Sequence, residues 1–186
     1  MEEVQLFLDD AKESMEKAYK HTGSELSKIR AGRANPSMLD GILVDYYGTP
    51  TPLNQVASVN TPDARSLLIK PWEKKLIADI EKAIKNSDLN LNPQNDGDQV
   101  RINIPTLTEE RRRDLVKQAK NEAESGRVRI RNIRKETNEE LRKLQKEGVP
   151  EDEVKKAEDK VQQLTDSYVR KVDELFAAKE KEIMTV

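Results

Sequence analysis

Apolar residues recur three and four positions apart in three long stretches of this chain. In residues 3–30 they are Val4, Leu8, Ala11, Met15, Ala18, Thr22, Leu26 and Ile29, the seam of an amphipathic helix that Gly32 and Asn35-Pro36 end. In residues 108–147 they are Leu115, Ala119, Ala123, Gly126, Ile130, Ile133, Thr137, Leu141 and Leu144. From Pro150 onward Val154, Ala157, Val161, Leu164, Tyr168, Val172 and Leu175 repeat the pattern, with Pro150 suited to a first helical turn and Glu151, Asp152 and Glu153 to its positive end. A short link around Gly148-Val149 predicts an antiparallel hairpin, which the first helix completes as a three-helix bundle. The seams run closer to 3.5 than 3.6 residues per turn, which favours gentle left-handed supercoiling. Gly126 on a core position costs about 1 kcal/mol against alanine, so it marks either a close helix approach or a bend.

Between the first two helices the pattern changes to strands and turns. Gly41 to Gly48 is β-branched and aromatic, Thr49-Pro50-Thr51-Pro52 reads as a turn, and Leu53 to Val59 reads as a returning strand. Ser66 to Lys70 is a further strand. After Pro71-Trp72, residues 74–84 place Leu76, Ile77, Ile80 and Ile84 on one helix face, followed by an Asn/Pro/Gly-rich loop and the alternating strand Val100, Ile102, Ile104. The reading is an α+β chain, with residues 1–30 and 107–186 forming the bundle and residues 31–106 an inserted β/α/β domain. Its two connections, Arg30-Ala31-Gly32 and Ile104-Pro105-Thr106, read as a hinge.

Composition adds limits. At 186 residues with 35% hydrophobic and 4% aromatic content, the cores must be thin and aliphatic, which suits helical bundles. The 37% charged fraction is interleaved with the apolar period rather than blocked by sign, so it reads as solvated helix faces. With no cysteine and a single histidine, His21, a disulfide framework, a thiol nucleophile and a zinc site are not expected. The N-terminus lacks the basic start and apolar run of an export signal, and no stretch reaches the ~20 apolar residues of a membrane span. A reducing cytoplasm and no membrane association are expected.

Net charge is −2, but its distribution is uneven: −2 over residues 1–30, −1 over 31–107, +4 over 108–147 and −3 over 148–186. Within the positive segment Lys117, Lys120, Arg127, Arg131 and Arg134 follow helical spacing as a second stripe beside the apolar one. At about 1.5 Å per residue this edge is about 26 Å long, a span suited to successive nucleic-acid phosphates. Arg127, Arg131 and Arg134 share the edge while Arg129 points elsewhere. Arginine binds phosphate bidentately, whereas solubility alone is served equally by lysine or glutamate. Trp72 reads as packing in the small domain. Asp96-Gly97-Asp98 fails as a calcium loop, because the closing glutamate is replaced by Asn103. There is no phosphate-binding Gly-Lys loop and no carboxylate pair in an apolar setting, so no catalytic residue, metal or cofactor is assigned.

Several long motifs carry a resemblance. Arg30-Ala31-Gly32-Arg33-Ala34-Asn35-Pro36-Ser37-Met38-Leu39-Asp40, Tyr46-Tyr47-Gly48-Thr49-Pro50-Thr51-Pro52-Leu53, Leu107-Thr108-Glu109-Glu110-Arg111-Arg112 and Val128 to Lys135 closely resemble the bacterial ribosome recycling factor family, in order and over essentially the whole chain. The resemblance implies an L-shaped molecule in which an elongated antiparallel three-helix bundle carries a hinged β/α/β domain. It also implies a cytoplasmic, monomeric, non-enzymatic factor that binds the large ribosomal subunit and its ribosomal RNA. With the GTPase elongation factor G, such a factor splits the post-termination ribosome and releases messenger and deacylated transfer RNA. Carried over by position, RNA contact falls on Arg131 and Arg134, then on Arg127, Arg111 and Arg112, with Lys117 and Lys120 added by the stripe. The competing reading is a coiled-coil scaffold or holdase chaperone, which requires an exposed apolar groove and binding that depends weakly on salt.

Overall fold

The computed structural model describes residues 1–185, which divide into two compact units. Residues 1–30 and 109–185 form one, and residues 31–108 the other.

The first unit consists of α1 (Glu2–Ser27), α4 (Glu109–Lys146) and α5 (Glu151–Thr185). The three pack on one another pairwise along the apolar seams. Arg127 meets Asp173 and Arg142 meets Glu158, so α4 and α5 are antiparallel. Tyr168 meets Glu16, and a Cβ added at Gly23 would touch Leu175, so α1 and α5 are parallel. Gly148, at φ +114°, ends the α4–α5 turn, and the Val149 amide donates back to the Leu144 carbonyl at 3.0 Å, a Schellman-type closure.

The core is built from narrow layers. Met15, Ala18, Ala123, Ile130, Tyr168 and Val172 form one cluster; Leu8, Leu141, Val154, Ala157 and Val161 form another. Gly126 is where α1 comes closest: a Cβ there would collide with Thr22 Oγ1 and lie 3.0 Å from Thr22 Cγ2. The glycine therefore marks a close approach, and α4 runs through it unbroken. Four seam positions, Val4, Ile133, Leu164 and Leu175, are only half-buried, and two of them change the reading. Ile133 is half-buried at the edge of the core, and on α5 Thr165 rather than Leu164 is the fully buried residue at that turn.

The second unit holds a two-stranded sheet, β1 (Leu43–Tyr46) with β2 (Thr49–Pro52), and a four-stranded antiparallel sheet ordered β3-β4-β6-β5. The latter comprises β3 (Ala57–Asp63), β4 (Ser66–Pro71), β5 (Pro93–Asn95) and β6 (Val100–Asn103). A helical turn, α2 (Leu53–Val56), follows β2, and α3 (Ile77–Lys85) follows a 3₁₀ turn at Lys74–Leu76. Leu76, Ile77, Ile80 and Ile84 are all buried against the sheets, as their spacing predicts.

Four local readings are corrected, the first being Trp72, read as packing in the small domain but 68% exposed. Thr49–Pro52 is a strand, not a turn: the chain reverses over Tyr47 and Gly48, both at positive φ, with the Gly48 amide donating to Asp45 Oδ1 at 2.8 Å. In such a two-residue hairpin Thr49 pairs with Tyr46, which leaves Pro50 and Pro52 at alternate positions where a missing N–H costs no ladder bond. Leu53–Val56 is helical rather than extended, which buries both Leu53 and Val56. Pro93–Asn95, read as loop, is the short edge strand β5, again a place that tolerates proline.

The segments flanking this unit are tied to its β3–β4 turn. The Ala34 amide donates to Ala64 O at 2.8 Å, the Ile104 amide to Arg65 O at 2.7 Å, and Arg65 Nη1 to Thr106 Oγ1 at 2.9 Å. Gly32, at φ +77°, faces Leu107, whose Cγ would lie 2.7 Å from an added Cβ. Only a residue without a Cβ fits at both requirements.

Candidate nucleic-acid interface

Helix α4 presents Lys117, Lys120, Arg127, Arg131 and Arg134 on the edge that borders α5, because residues three, four and seven apart share a side and the apolar seam fixes which side faces inward. The arginines on this edge are in different states. Arg127 is half-buried, with its side chain 17% exposed. Its Nε donates to Asp173 Oδ1 at 2.7 Å and its Nη1 to Glu124 Oε2 at 3.1 Å. Burial alone would lower this guanidinium's pKa, but the Asp173 and Glu124 carboxylates outweigh burial and hold it above its ordinary value. Arg127 is thus a brace between α4 and α5.

Arg131 is 48% exposed and only loosely paired, its Nη1 lying 3.6 Å from Glu124 Oε1. Arg134 has no carboxylate partner among the described residues; its Nη1 reaches Gln162 Oε1 at 3.5 Å, the outer limit of a hydrogen bond. Lys117 and Lys120 are exposed and make no ion pair among the described residues. Arg131, exposed, and Arg134, half-buried but with no carboxylate partner among the described residues, are therefore the guanidinium groups of this edge least engaged by neighbouring carboxylates, with the two lysines extending the edge toward the start of α4.

Arg111 and Arg112 do not join this edge. Arg111 lines a groove between α1 and α4, about 500 Å³ in volume, together with Glu25, Lys28 and Arg30. Arg112 turns inward, its Nε buried without a hydrogen-bond partner. Arg129 is on the α1 side as well: the Glu25 carboxyl, held below its usual range first by Lys28, also senses the Arg129 charge. Asp173 and Gln162, which tether two of the arginines, were not legible in the spacing of α4. They lie on α5, and only the alignment of the two seams brings them opposite Arg127 and Arg134.

The hinge candidates divide in the same way. Ala31 and Ile104 are buried, Gly32 is shaped to Leu107, and Thr106 is bonded to Arg65, all within the small unit. Neither linking segment has regular secondary structure. His21 is exposed, and no cluster of three or more metal-ligating side chains occurs among the described residues. No described helix is long and apolar enough to cross a membrane.

Comparison with known proteins identifies what this arrangement resembles. A family model described as Ribosome recycling factor matches residues 22–184. A ribosome-recycling factor of Cytophaga hutchinsonii is 64% identical over 186 residues, covering all of both chains, and one of Amoebophilus asiaticus is 60% identical over the same span. A solution structure of a ribosome recycling factor superposes with a TM-score of 0.74 at 39% identity, covering 100% of each chain. The T. thermophilus ribosome recycling factor, placed with the E. coli elongation factor G bound to the E. coli post-termination complex, superposes with a TM-score of 0.61 at 46% identity, covering 97% of this chain and 98% of its own.

Proposed function

The chain belongs to the ribosome recycling factor family, a family of non-enzymatic translation factors, and on that premise we propose how it recycles the post-termination ribosome. Helix α4 anchors the protein on ribosomal RNA of the large subunit, with Arg131 and Arg134 as its phosphate contacts and Lys117 and Lys120 as supporting charges. Elongation factor G supplies the work from GTP, and the protein converts it into separation of the subunits, which frees messenger and deacylated transfer RNA. The factor acts as a cytoplasmic monomer.

The observation that supports this assignment of residues is the difference in pairing along one edge. Arg127 is bound to two carboxylates at 2.7 and 3.1 Å, whereas among the described residues Arg131 and Arg134 have no carboxylate nearer than 3.6 Å. Guanidinium groups on a stiff, packed helix suit bidentate capture of phosphate. Arg127 then contributes by holding α5 against α4, and Arg111 and Arg112 are secondary. For the joint, Lys28 and Ile29 are bonded back to the end of α1 while Ala31, Gly32, Ile104 and Thr106 are held in the small unit, so bending is assigned to Arg30 on one strand and to the approach to α4 on the other.

Binding to isolated large ribosomal subunits across a salt series tests the reading. With two or three phosphates neutralised, the log–log slope should be about −2 to −3, and Arg131→Ala and Arg134→Ala should each flatten it by about 1. Folding should be unchanged, and subunit splitting in the presence of elongation factor G should fall with affinity. Salt-independent binding, or variants that bind and split as the wild type does, would refute the assignment.

A further inference from the structure

Glu124 stands one helical turn before Arg127 and two turns before Arg131, so its side chain lies along the same edge as both. One carboxylate oxygen meets Arg127 at 3.1 Å and the other meets Arg131 at 3.6 Å. Arg127 does not depend on this contact, since Asp173 holds its Nε at 2.7 Å. Two guanidiniums and two carboxylates thus cancel at the middle of the basic edge. A polyanion approaching there meets no net charge between Lys120 on one side and Arg134 on the other.

The contact to Arg131 is also the weakest of the set. A separation of 3.6 Å exceeds the ~2.7–2.9 Å of a charge-assisted hydrogen bond, and both groups are about half exposed. Glu124 can remain on Arg127 while Arg131 is taken by a phosphate. The carboxylate therefore has two opposed effects on RNA. It repels any phosphate through its charge, and it orients the Arg131 guanidinium, which reduces the side-chain freedom lost on binding. A flexible single strand, which can settle in any register, feels the repulsion and gains nothing from the orientation. A rigid, shaped RNA site feels both.

We propose that Glu124 is a specificity-determining residue of the RNA-binding edge: shared between Arg127 and Arg131, it suppresses binding to polyanions at large while leaving the matched site on the large subunit undiminished. This inference rests on the functional reading above, and its test separates the two. Wild type, Glu124→Gln and, as a control for net charge alone, Glu136→Gln on a different side of α4 are titrated against polyuridine and against isolated large ribosomal subunits at about 50 mM salt, where screening is modest.

Glu124→Gln keeps the size of the side chain but removes both the charge and the ionic contact that orients Arg131, so on a shaped site the two losses offset each other while on a flexible strand only the lost repulsion counts. Affinity for polyuridine should rise about fourfold, the Coulomb value for one unit charge about 5 Å from a phosphate in water, while affinity for large subunits stays within about twofold. Glu136→Gln should leave both within about twofold. An unchanged polyuridine affinity for Glu124→Gln, an equal rise on both targets, or the same effect from Glu136→Gln would overturn the proposal. Failure of wild type to bind large subunits is read in a separate arm and would overturn the functional reading, and this one with it.

Discussion

Replacing Gly126 by alanine sets two opposing effects against each other. Intrinsic helix propensity favours the substitution by about 1 kcal/mol. Packing opposes it, because the new Cβ would collide with Thr22 Oγ1 and sit 3.0 Å from Cγ2 and 3.2 Å from Cβ of the same residue. Thr22 is only 2% exposed, and its Oγ1 donates to Ala18 O at 2.9 Å, so it cannot rotate away without breaking that bond inside the core. Overpacking costs about 1–3 kcal/mol, and a lost buried hydrogen bond about 1 kcal/mol. The expected net effect is a destabilisation of about 1–2 kcal/mol, read as a lower urea midpoint at unchanged slope. Thr22→Ala removes Oγ1 and Cγ2 and leaves only the Cβ contact. The double variant should then be about 1–2 kcal/mol more stable than the sum of the single effects. If Gly126→Ala instead raised stability by the full propensity increment, and did so additively with Thr22→Ala, the reasoning from close approach would be refuted.

Two further outcomes follow from the bundle. The Tyr168 hydroxyl donates to Glu16 Oε2 at 2.6 Å, and burial first, with that carboxylate second, pushes its pKa up to about 12. The folded phenol keeps its proton where the unfolded one, with a pKa of about 10, loses it, so stability is full below pH ~10 and declines between about 10 and 12. Tyr168→Phe should cost about 1 kcal/mol at neutral pH and flatten that alkaline decline in denaturant titrations run at several pH values. Ile130, fully buried, and Ile133, half-buried, should differ in the same assay. Ile130→Ala is expected to cost about 3–4 kcal/mol and Ile133→Ala no more than about half as much; equal losses would place both side chains equally deep.

The long elements were legible because a helix that packs along its whole length writes its period directly into the sequence. The seam residues Leu8, Met15, Ala123, Ile130 and Val161 are buried where their spacing puts them. The seam of α5 was not legible past Leu175, because the next core position is held by Lys179. Its stem is buried while its Nζ reaches Glu182 at 3.4 Å, and hydrophobicity alone does not identify such a residue. In the small unit, element type was decided by pairing rather than by composition. Thr-Pro-Thr-Pro has turn residues, yet the actual reversal needs only Tyr47 and Gly48. The short edge strand at Pro93 exists only because β6 is beside it. For the interface, the side of α4 that carries charge followed from spacing. Which arginines are engaged by neighbours did not, since Asp173 and Gln162 come from another helix.

If Arg131 and Arg134 hold RNA as proposed, the buried small residues of α4 bear on binding as well as on stability. A helix turned about its axis by one residue swings every side chain through about 100°, enough to move Arg131 and Arg134 away from the α5 border altogether. What prevents this is the depth at which Ala119, Ala123 and Gly126 sit, all on the face turned toward the other helices. Thr22, Thr137 and Thr165 permit the same closeness without leaving an unpaired hydroxyl, because each donates to the carbonyl four residues before it: Thr22 to Ala18, Thr137 to Ile133 and Thr165 to Val161. Larger apolar residues at these positions would bury more surface but would push the helices apart and loosen the angular setting of α4. On the proposed role of these arginines, the narrow core is part of the binding apparatus: it fixes the direction in which Arg131 and Arg134 project, and the Arg127–Asp173 tie secures that direction from the outside.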